Sequence, residues 1–538
     1  MSAAAVKATE RGVPWWHGAV IYHIYPRSFA DSNGDGIGDL PGISAHLEYV
    51  AALGVGAIWL SPFFTSPMKD FGYDVADYRD VDPIFGSLAD FDRLVARAHA
   101  LGLRVIIDQV YSHTSDQHPW FRESRSDRSN ARASWYVWAD PKPDGSPPSN
   151  WQSVFGGPAW AWDARRRQYY LHNFLAEQPD LNVHNPEVQD ALLECARFWL
   201  DRGVDGFRLD AIDYTMHDPA LTDNPPAPPQ RKLRSRPIDF QLPLHNKGHP
   251  DLPGFAQRIR ALMDQYPDRF TVAEIGGEHA EPIMRTLTEG KARFSTAYGF
   301  NFLLADTLSP ALVRSALEAW PEQPGAGWPS WAFSNHDAPR AVSRWSTPAD
   351  RDACARLALL LLFSLRGNVF LYQGEELGLP QAEIDFEHLK DPEAITNWPL
   401  TLGRDGARTP MPWAKDALYA GFSGARPWLP IPAEHVALAV DAQERDPGSL
   451  LALTRQLIAL RNRLPALKTG SMRFIEATDS VLIFERGAGE ARLLCAFNLG
   501  GSPQLIQTPP AGWRMRAAVG GATLAALPRL SGLIAERA

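Results

Sequence analysis

The chain predicts a (β/α)8 barrel of the TIM type, with a subdomain inserted after strand 3 and an antiparallel β domain at the C-terminal end. Three observations carry that prediction: strands alternate with helices, each strand of interest ends in a polar residue, and helical patterning stops near residue 471. The first strands are Ala19–Tyr22, Ala57–Leu60 and Arg104–Asp108, and the later ones Val204–Asp210, Phe270–Glu274, Ser330–Ser334 and Asn368–Tyr372. Helical stretches such as Leu88–Leu101 and Val188–Leu200 lie between them. Such alternation calls for parallel strands joined by crossover helices. So many units favour a closed barrel over an open sheet. A doubly wound sheet would want a glycine-rich phosphate turn after its first strand, and none is visible.

Residues 1–110 and 183–470 are assigned to the barrel, 111–182 to the inserted subdomain and 471–538 to the C-terminal domain. The inserted region breaks into short aromatic pieces such as Trp135–Trp138 and Gln168–His172, which would wall one side of a pocket at the barrel mouth. Thr222–Pro253, rich in proline and in charge of both signs, reads as a long surface excursion without strand or helix. After Ser471, runs such as Val481–Phe484 and Leu493–Phe497 read as antiparallel strands without a convergent polar set.

Composition narrows the partners. With 538 residues and 45% hydrophobic content the chain can bury a large core. A net charge of -9 argues against nucleic acid and is compatible with a neutral small molecule. Cys195, Cys354 and Cys495 are odd in number and far apart, so they read as buried apolar residues and not as a disulfide framework or metal clip. Neither a secretory leader in Met1–Gly12 nor a bilayer-spanning stretch is legible, which predicts a cytoplasmic protein with no membrane partner, as a monomer or homodimer.

The polar strand ends are Asp108, Asp210, Glu274 and the run Asn335-His336-Asp337. In a barrel they gather at one mouth although they are remote in sequence. Residues two apart on a strand share a face, so Arg208 and Asp210 look one way while Phe207 and Leu209 look the other. That pair is either a structural ion pair or a cation holding a nucleophile in its ionised form. Asp210, Glu274 and Asp337 together suit glycoside hydrolysis, in which one carboxylate attacks and a protonated carboxyl donates to the leaving oxygen. Apolar strand neighbours would raise the proton affinity of Glu274. His113 and His336 are candidate donors to substrate hydroxyls, and no His-x-His or His-Glu-x-x-His spacing supports a zinc site.

Four ordered segments, Asp108-Gln109-Val110-Tyr111-Ser112-His113, Gly206-Phe207-Arg208-Leu209-Asp210, Glu274 and Ser334-Asn335-His336-Asp337, resemble the signature regions of the α-amylase family, glycoside hydrolase family 13. Gln178–Asn182 is similar to a further region of its oligo-1,6-glucosidase and α-glucosidase branch. The resemblance implies a retaining enzyme with Asp210 as nucleophile, Glu274 as acid/base and Asp337 as the third acid. It further implies that Arg208, His113 and His336 contact the glucosyl unit or the nucleophile, that Tyr73 is the aromatic platform, and that Asp70 and Arg404 close the pocket behind a terminal glucose. Phe174 resembles a family pocket residue, and Phe155, Trp160 and Phe174 are read as an aromatic wall that would favour alcohol or phenol acceptors in transglucosylation. Ser112 replaces the usual asparagine before the histidine, so the calcium site of the amylases is not expected there.

Directly after the nucleophile stands Ala211, which by the resemblance goes with α-1,4 cleavage where valine goes with α-1,6. The reading is therefore an exo-acting α-glucosidase acting on maltose and short oligosaccharides. Oligo-1,6-glucosidase, trehalose synthase and sucrose isomerase are its rivals on the same fold. A metal-dependent hydrolase or a silent transporter partner are rivals of other kinds. The run Asp31-Ser32-Asn33-Gly34-Asp35-Gly36-Ile37-Gly38-Asp39 places oxygen donors at alternate positions and reads as a solvated acidic turn or a metal loop. In the resembling branch such a loop binds Ca²⁺ or Mg²⁺ structurally through Asp31, Asn33, Asp35, Asp39 and the carbonyl of Ile37. No organic cofactor is expected.

Overall fold

The computed structural model describes residues 13–229, 234–277, 280–323, 325–401, 403–506 and 512–537. Eight parallel strands form the central sheet: β1 (Val20–Ile24), β2 (Ala57–Leu60), β3 (Arg104–Val110), β4 (Gly206–Asp210), β5 (Phe270–Ile275), β6 (Thr296–Gly299), β7 (Ser330–Ala332) and β8 (Asn368–Tyr372). Each pairs with its sequence neighbour from β1 to β6, β8 joins β1 to β7, and a parallel bridge between Ala297 and Pro329 brings the two edges together. Thr296 Oγ1 and Ser330 Oγ, 2.8 Å apart, tie the same seam. The chain is a (β/α)8 barrel.

Strand alternation sorts the barrel into two environments. Ile21, Trp59, Ile106, Val272 and Phe370 form an inner cluster, while Phe207 and Leu209 belong to the core between sheet and helices. Gly206 is required where it stands, because a Cβ there would meet the Phe270 carbonyl at 2.5 Å. The helices are locally encoded as well. Leu88–Ala100 begins with a capping box in which Ser87 and Asp90 each accept from the other's backbone amide, and it buries Phe91, Leu94, Val95 and Ala98. Pro186–Asp201 starts with proline behind the Asn185 cap.

Several expectations are corrected. The sequence reading omits β6, whose four residues Thr296-Ala297-Tyr298-Gly299 are too short to show a periodic signal. β7 stops at Ala332, because Asn335 Oδ1 accepts from the Asp337 and Ala338 amides and turns the chain out of the sheet. The excursion Thr222–Pro253 holds a short 3-10 turn, Pro237–Phe240, and its end opens the helix Leu252–Met263, where Pro253 suits the first turn. Residues 230–233, and Met1–Gly12, in which no leader is read, lie outside the described residues. No described helix is long and apolar enough to cross a membrane.

In the inserted region Gln168–Leu171 is the centre of a three-stranded antiparallel sheet flanked by Trp138–Ala139 and Trp160–Asp163. At the C-terminal end Ser471–Ala477, Val481–Ala488, Ala491–Asn498, Ser531–Arg537 and Trp513–Val519 form a five-stranded antiparallel sheet in that order. Phe484, Phe497 and Ile534 share one core with Leu357 and Leu361 of the barrel helix Arg351–Ser364. All three cysteines are free and buried.

Two buried arginines bind this end together without any carboxylate. Arg486 donates to Ser364 O at 2.6 Å and Gly470 O at 2.9 Å. Arg461 donates to the carbonyls of Gly18 before β1, of Phe363 and Leu365 at the end of the helix Arg351–Ser364, and of Gly367 before β8. Arg461→Met would leave four buried acceptors unpaired, a loss of about 3 kcal/mol or more. A markedly lowered Tm is the expected outcome in a thermal melt, and an unchanged Tm would remove this strut from the account.

Candidate active site

At the carboxyl ends of the strands the inward positions change from apolar to charged. Arg208 on β4 is fully buried. Its guanidinium donates to Asp108 Oδ1 at 2.8 Å and Asp210 Oδ1 at 2.5 Å and pairs with Glu274 Oε1. One cation thus joins three carboxylates from β3, β4 and β5. Rings cover it as well, with Trp59 at 5.1 Å and Tyr73 at 5.9 Å. Tyr298 of β6 donates its hydroxyl to Glu274 Oε1 at 2.8 Å, and the Ala211 amide lies 3.2 Å from Glu274 Oε2.

The electrostatics follow from burial. Asp108 is pushed up to about 7 by desolvation, against the pull of Arg208 and with the push of Glu274. Asp210 and Glu274 are likewise raised, first by burial, with Arg208 opposing. Three acids around one guanidinium cannot all stay ionised in this medium, so the cluster retains a proton. His336 is held well below its ordinary range by burial and by Arg408, Arg208 and Arg404, and His113 is lowered to about 4 by burial. Both rings are neutral at pH 7.

A second set surrounds Asp337. Arg408 Nη2 donates to Asp337 Oδ1 at 2.8 Å, and His336 Nε2 lies 3.1 Å from Oδ2 and 2.6 Å from the Tyr73 hydroxyl. Arg404 Nη2 bridges Asp70 at 2.8 Å and Asp391 at 2.7 Å, and its guanidinium lies 4.8 Å from the Phe155 ring centre. Gln178 reaches Asp70 Oδ2 at 3.2 Å and His113 Nε2 at 3.0 Å. Phe174 sits between His113 at 5.1 Å, Phe155 at 5.9 Å and Tyr214 at 5.4 Å. Ser112, where the resemblance expects asparagine, places its hydroxyl 2.9 Å from His113 Nδ1.

The twelve residues expected to catalyse or bind sugar therefore form one connected group. Trp160 does not join it: its ring stacks on Trp151 at 5.7 Å and packs with Val137, Ala159 and Leu171 inside the inserted sheet. Sequence reasoning missed Tyr298, Arg408, Asp391 and the bridging role of Asp108. Tyr298 lies on the strand that shows no period, and Asp391 and Arg408 stand in irregular segments that only the fold brings inward. Ala211 has φ 37° and ψ 44°, left-handed for a residue with a Cβ.

The loop from Asp31 to Asp39 is a separate unit after β1. Asp31 accepts from the amides of Asn33, Gly34 and Gly36 and from the Ser423 hydroxyl, while Asp39 caps the helix Leu40–Ala45. None of Asp31, Asp35 and Asp39 forms an ion pair with a described cationic side chain. The donors suit a hard cation in kind. The three carboxylates do not gather within 4.8 Å of one another, so an ion would have to draw them together.

Residues 23–470 match the model of the α-amylase catalytic domain. The chain belongs to the α-amylase family. This member of glycoside hydrolase family 13 is 54% identical over 502 residues to a probable α-glucosidase of Rhizobium meliloti, covering 92% of this chain and 91% of that one. It is 36% identical to an oligo-1,6-glucosidase of Heyndrickxia coagulans over 93% of its own length and 95% of the other's. Among solved structures it superposes on an α-glucosyl transfer enzyme with a TM-score of 0.93 at 51% identity, over 98% and 100% of the two chains. The trehalulose synthase of Pseudomonas mesoacidophila gives a TM-score of 0.87 at 33% identity, again over 98% and 100%.

In this family member the fork of Arg208 is the element that a point charge cannot replace. Arg208→Lys is expected to lower kcat/KM by about 10² or more through loss of the preorganised bridge. Steady-state kinetics with circular dichroism as a folding control checks this. Near-normal turnover would mean that charge alone suffices.

Proposed function

We propose that the protein is a retaining, exo-acting α-glucosidase for α-1,4-linked glucose. The single arrangement that carries the reading is Arg208 bridging Asp210 and Glu274 in a buried mouth. Two carboxyls gripped by one guanidinium are close together, which favours the retaining spacing of roughly 5 Å over the wider inverting one. Asp210 attacks the anomeric carbon and Glu274 gives its proton to the leaving oxygen; burial biases both carboxyls toward protonation, and the proton that the cluster retains is assigned to Glu274. Once Asp210 is esterified its charge is gone, the proton affinity of Glu274 falls, and the same carboxyl takes a proton from the incoming water or alcohol. Asp337, held by Arg408 and His336, supports the charge that develops on the sugar. The Asp70, Arg404 and Asp391 bridge closes the far end and supports release of one glucose at a time.

Asp210→Asn tests the nucleophile. A loss of about 10³-fold or more in kcat is expected, and full activity would refute the assignment. The pH profile tests Glu274. As pH rises through its raised value the acid is lost, so kcat/KM for maltose falls on the alkaline side. An activated aryl glucoside, whose leaving group needs no proton, should keep its rate there. Parallel decline of both substrates would show that Glu274 is not the proton donor.

The linkage assignment rests on Ala211. Its left-handed backbone is costly for a β-branched residue, and its position beside the nucleophile puts any added methyl against the leaving sugar. Maltose is the expected better substrate over isomaltose, and Ala211→Val should narrow that ratio while lowering Tm. A wild-type preference for isomaltose would overturn it. The Phe155 and Phe174 walls, together with the likeness to an α-glucosyl transfer enzyme, support glucosyl transfer to alcohol or phenol acceptors. Product analysis with maltose and a phenol decides this, and free glucose as sole product would exclude transfer.

The Asp31–Asp39 loop is proposed to hold Ca²⁺ or Mg²⁺ as a structural ion. Its support is three carboxylates without a described cationic partner in nine residues, with Asn33 and the Ile37 carbonyl between them. Chelator should lower Tm and added Ca²⁺ restore it, with Asp35→Ala insensitive to both.

A further inference from the structure

A cavity of about 870 Å³ lies between the segment after β1 and residues 387–390 and 417–436, and no step of the proposed reaction uses it. Its inner wall is Arg27, only 7% exposed. The guanidinium is held between two rings, 5.2 Å from that of Phe71 and 5.1 Å from that of Trp428. That sandwich fixes its plane but supplies no acceptor. Arg27 Nε is buried without a hydrogen-bond partner, and the side chain forms no ion pair with any described residue. Asp82 and Asp35 act on it only at longer range. A buried guanidinium with unfilled donors is costly unless an anion completes it.

The rim repeats the pattern. Lys390 and Arg426 line the same cavity, are exposed, and pair with no described carboxylate. Arg426 Nη2 lies 3.2 Å from His388 Nε2, and one ring nitrogen of His388 lies within 4.8 Å of a carboxylate oxygen of Asp385 and of Glu387. Glu387 is the one acid in the lining. Three cations thus face one cavity against a single carboxylate, in a chain whose net charge is -9. A fixed guanidinium, an ammonium and a second guanidinium match a tetrahedral dianion better than a neutral sugar.

We propose that this cavity is an anion site for a phosphate group, carried either as inorganic phosphate or as a sugar phosphate, with Arg27 as the buried anchor and Lys390 and Arg426 as the rim. Calorimetric titration of the full chain with inorganic phosphate, glucose 6-phosphate and glucose tests it. Saturable binding of at least one phosphate compound, and not of glucose at this site, is expected. The double variant Lys390→Met, Arg426→Gln should lose at least tenfold in phosphate affinity with its Tm and its maltose activity without phosphate unchanged. Arg27→Met should abolish binding, and if that variant does not fold the rim variant decides alone. Glucose 6-phosphate binding more tightly than phosphate identifies a sugar phosphate, and equal affinity identifies the free ion. Absence of saturable binding by both, or affinity in the rim variant within twofold of the parent, overturns the site.

Discussion

Everything at the barrel mouth depends on one buried guanidinium. Arg208 and the three acids it holds are costly to desolvate as a group, and removing the cation alone would strand three buried carboxylates. Its presence is explained by what the carboxylates must do. With Asp108 and Asp210 on one nitrogen and Glu274 on the other, it fixes Asp210 and Glu274, the proposed attacking group and proton donor, to a common frame. The frame is rigid because the cation is covered by Trp59 and Tyr73 and its partners arise from adjacent strands. Asp108, deepest of the three acids, absorbs part of the positive charge and keeps the cluster from neutralising fully. That leaves a proton to be shared near neutrality, which is the condition acid/base catalysis needs.

Around this frame the substrate end is built from segments far apart in the chain. Arg404 joins Asp70, Asp391 and Asp337, and Arg408 joins Asp337 to the backbone of His336. Arg404 and Arg408 work as Arg208 does, each anchored by more than one acceptor so that its plane is set before a sugar arrives. Such preorganisation places fixed dipoles and charges where the transition state develops charge, without reordering at the moment of reaction.

Much of this was legible in the sequence because β alternation is a strict rule. Arg208 and Asp210 share a face and Phe207 and Leu209 share the other, as period two requires. Seven strands were visible as apolar runs, and convergence of their polar ends followed from the barrel. The rest was hidden for physical reasons. β6 is four residues long, too short for a period, so Tyr298 and its hydrogen bond to Glu274 were invisible. Asp391 and Arg408 lie in segments without regular structure, where position is set by tertiary contacts alone. Trp160 shows the opposite error: an aromatic in an inserted segment near the mouth packs into that segment's own core, because a small sheet needs its large side chains for burial. The motif resemblance placed Asp70, Arg404 and Tyr73, which no local pattern could have paired.

Ala211 joins chemistry to specificity through its backbone. The left-handed turn there ends β4 abruptly and lets the amide after Asp210 point at Glu274 Oε2. Without that turn the strand would run on and the amide would face its neighbour in the sheet. The turn therefore ties the backbone beside Asp210 to Glu274. It is also sterically intolerant: each atom added to the Cβ increases backbone strain. A residue chosen for linkage preference at this position must also be one the turn accepts. Alanine meets the turn's demand at small conformational cost, whereas valine, whatever leaving-group fit it brought under the proposed linkage role, would strain the turn that holds Asp210 against Glu274.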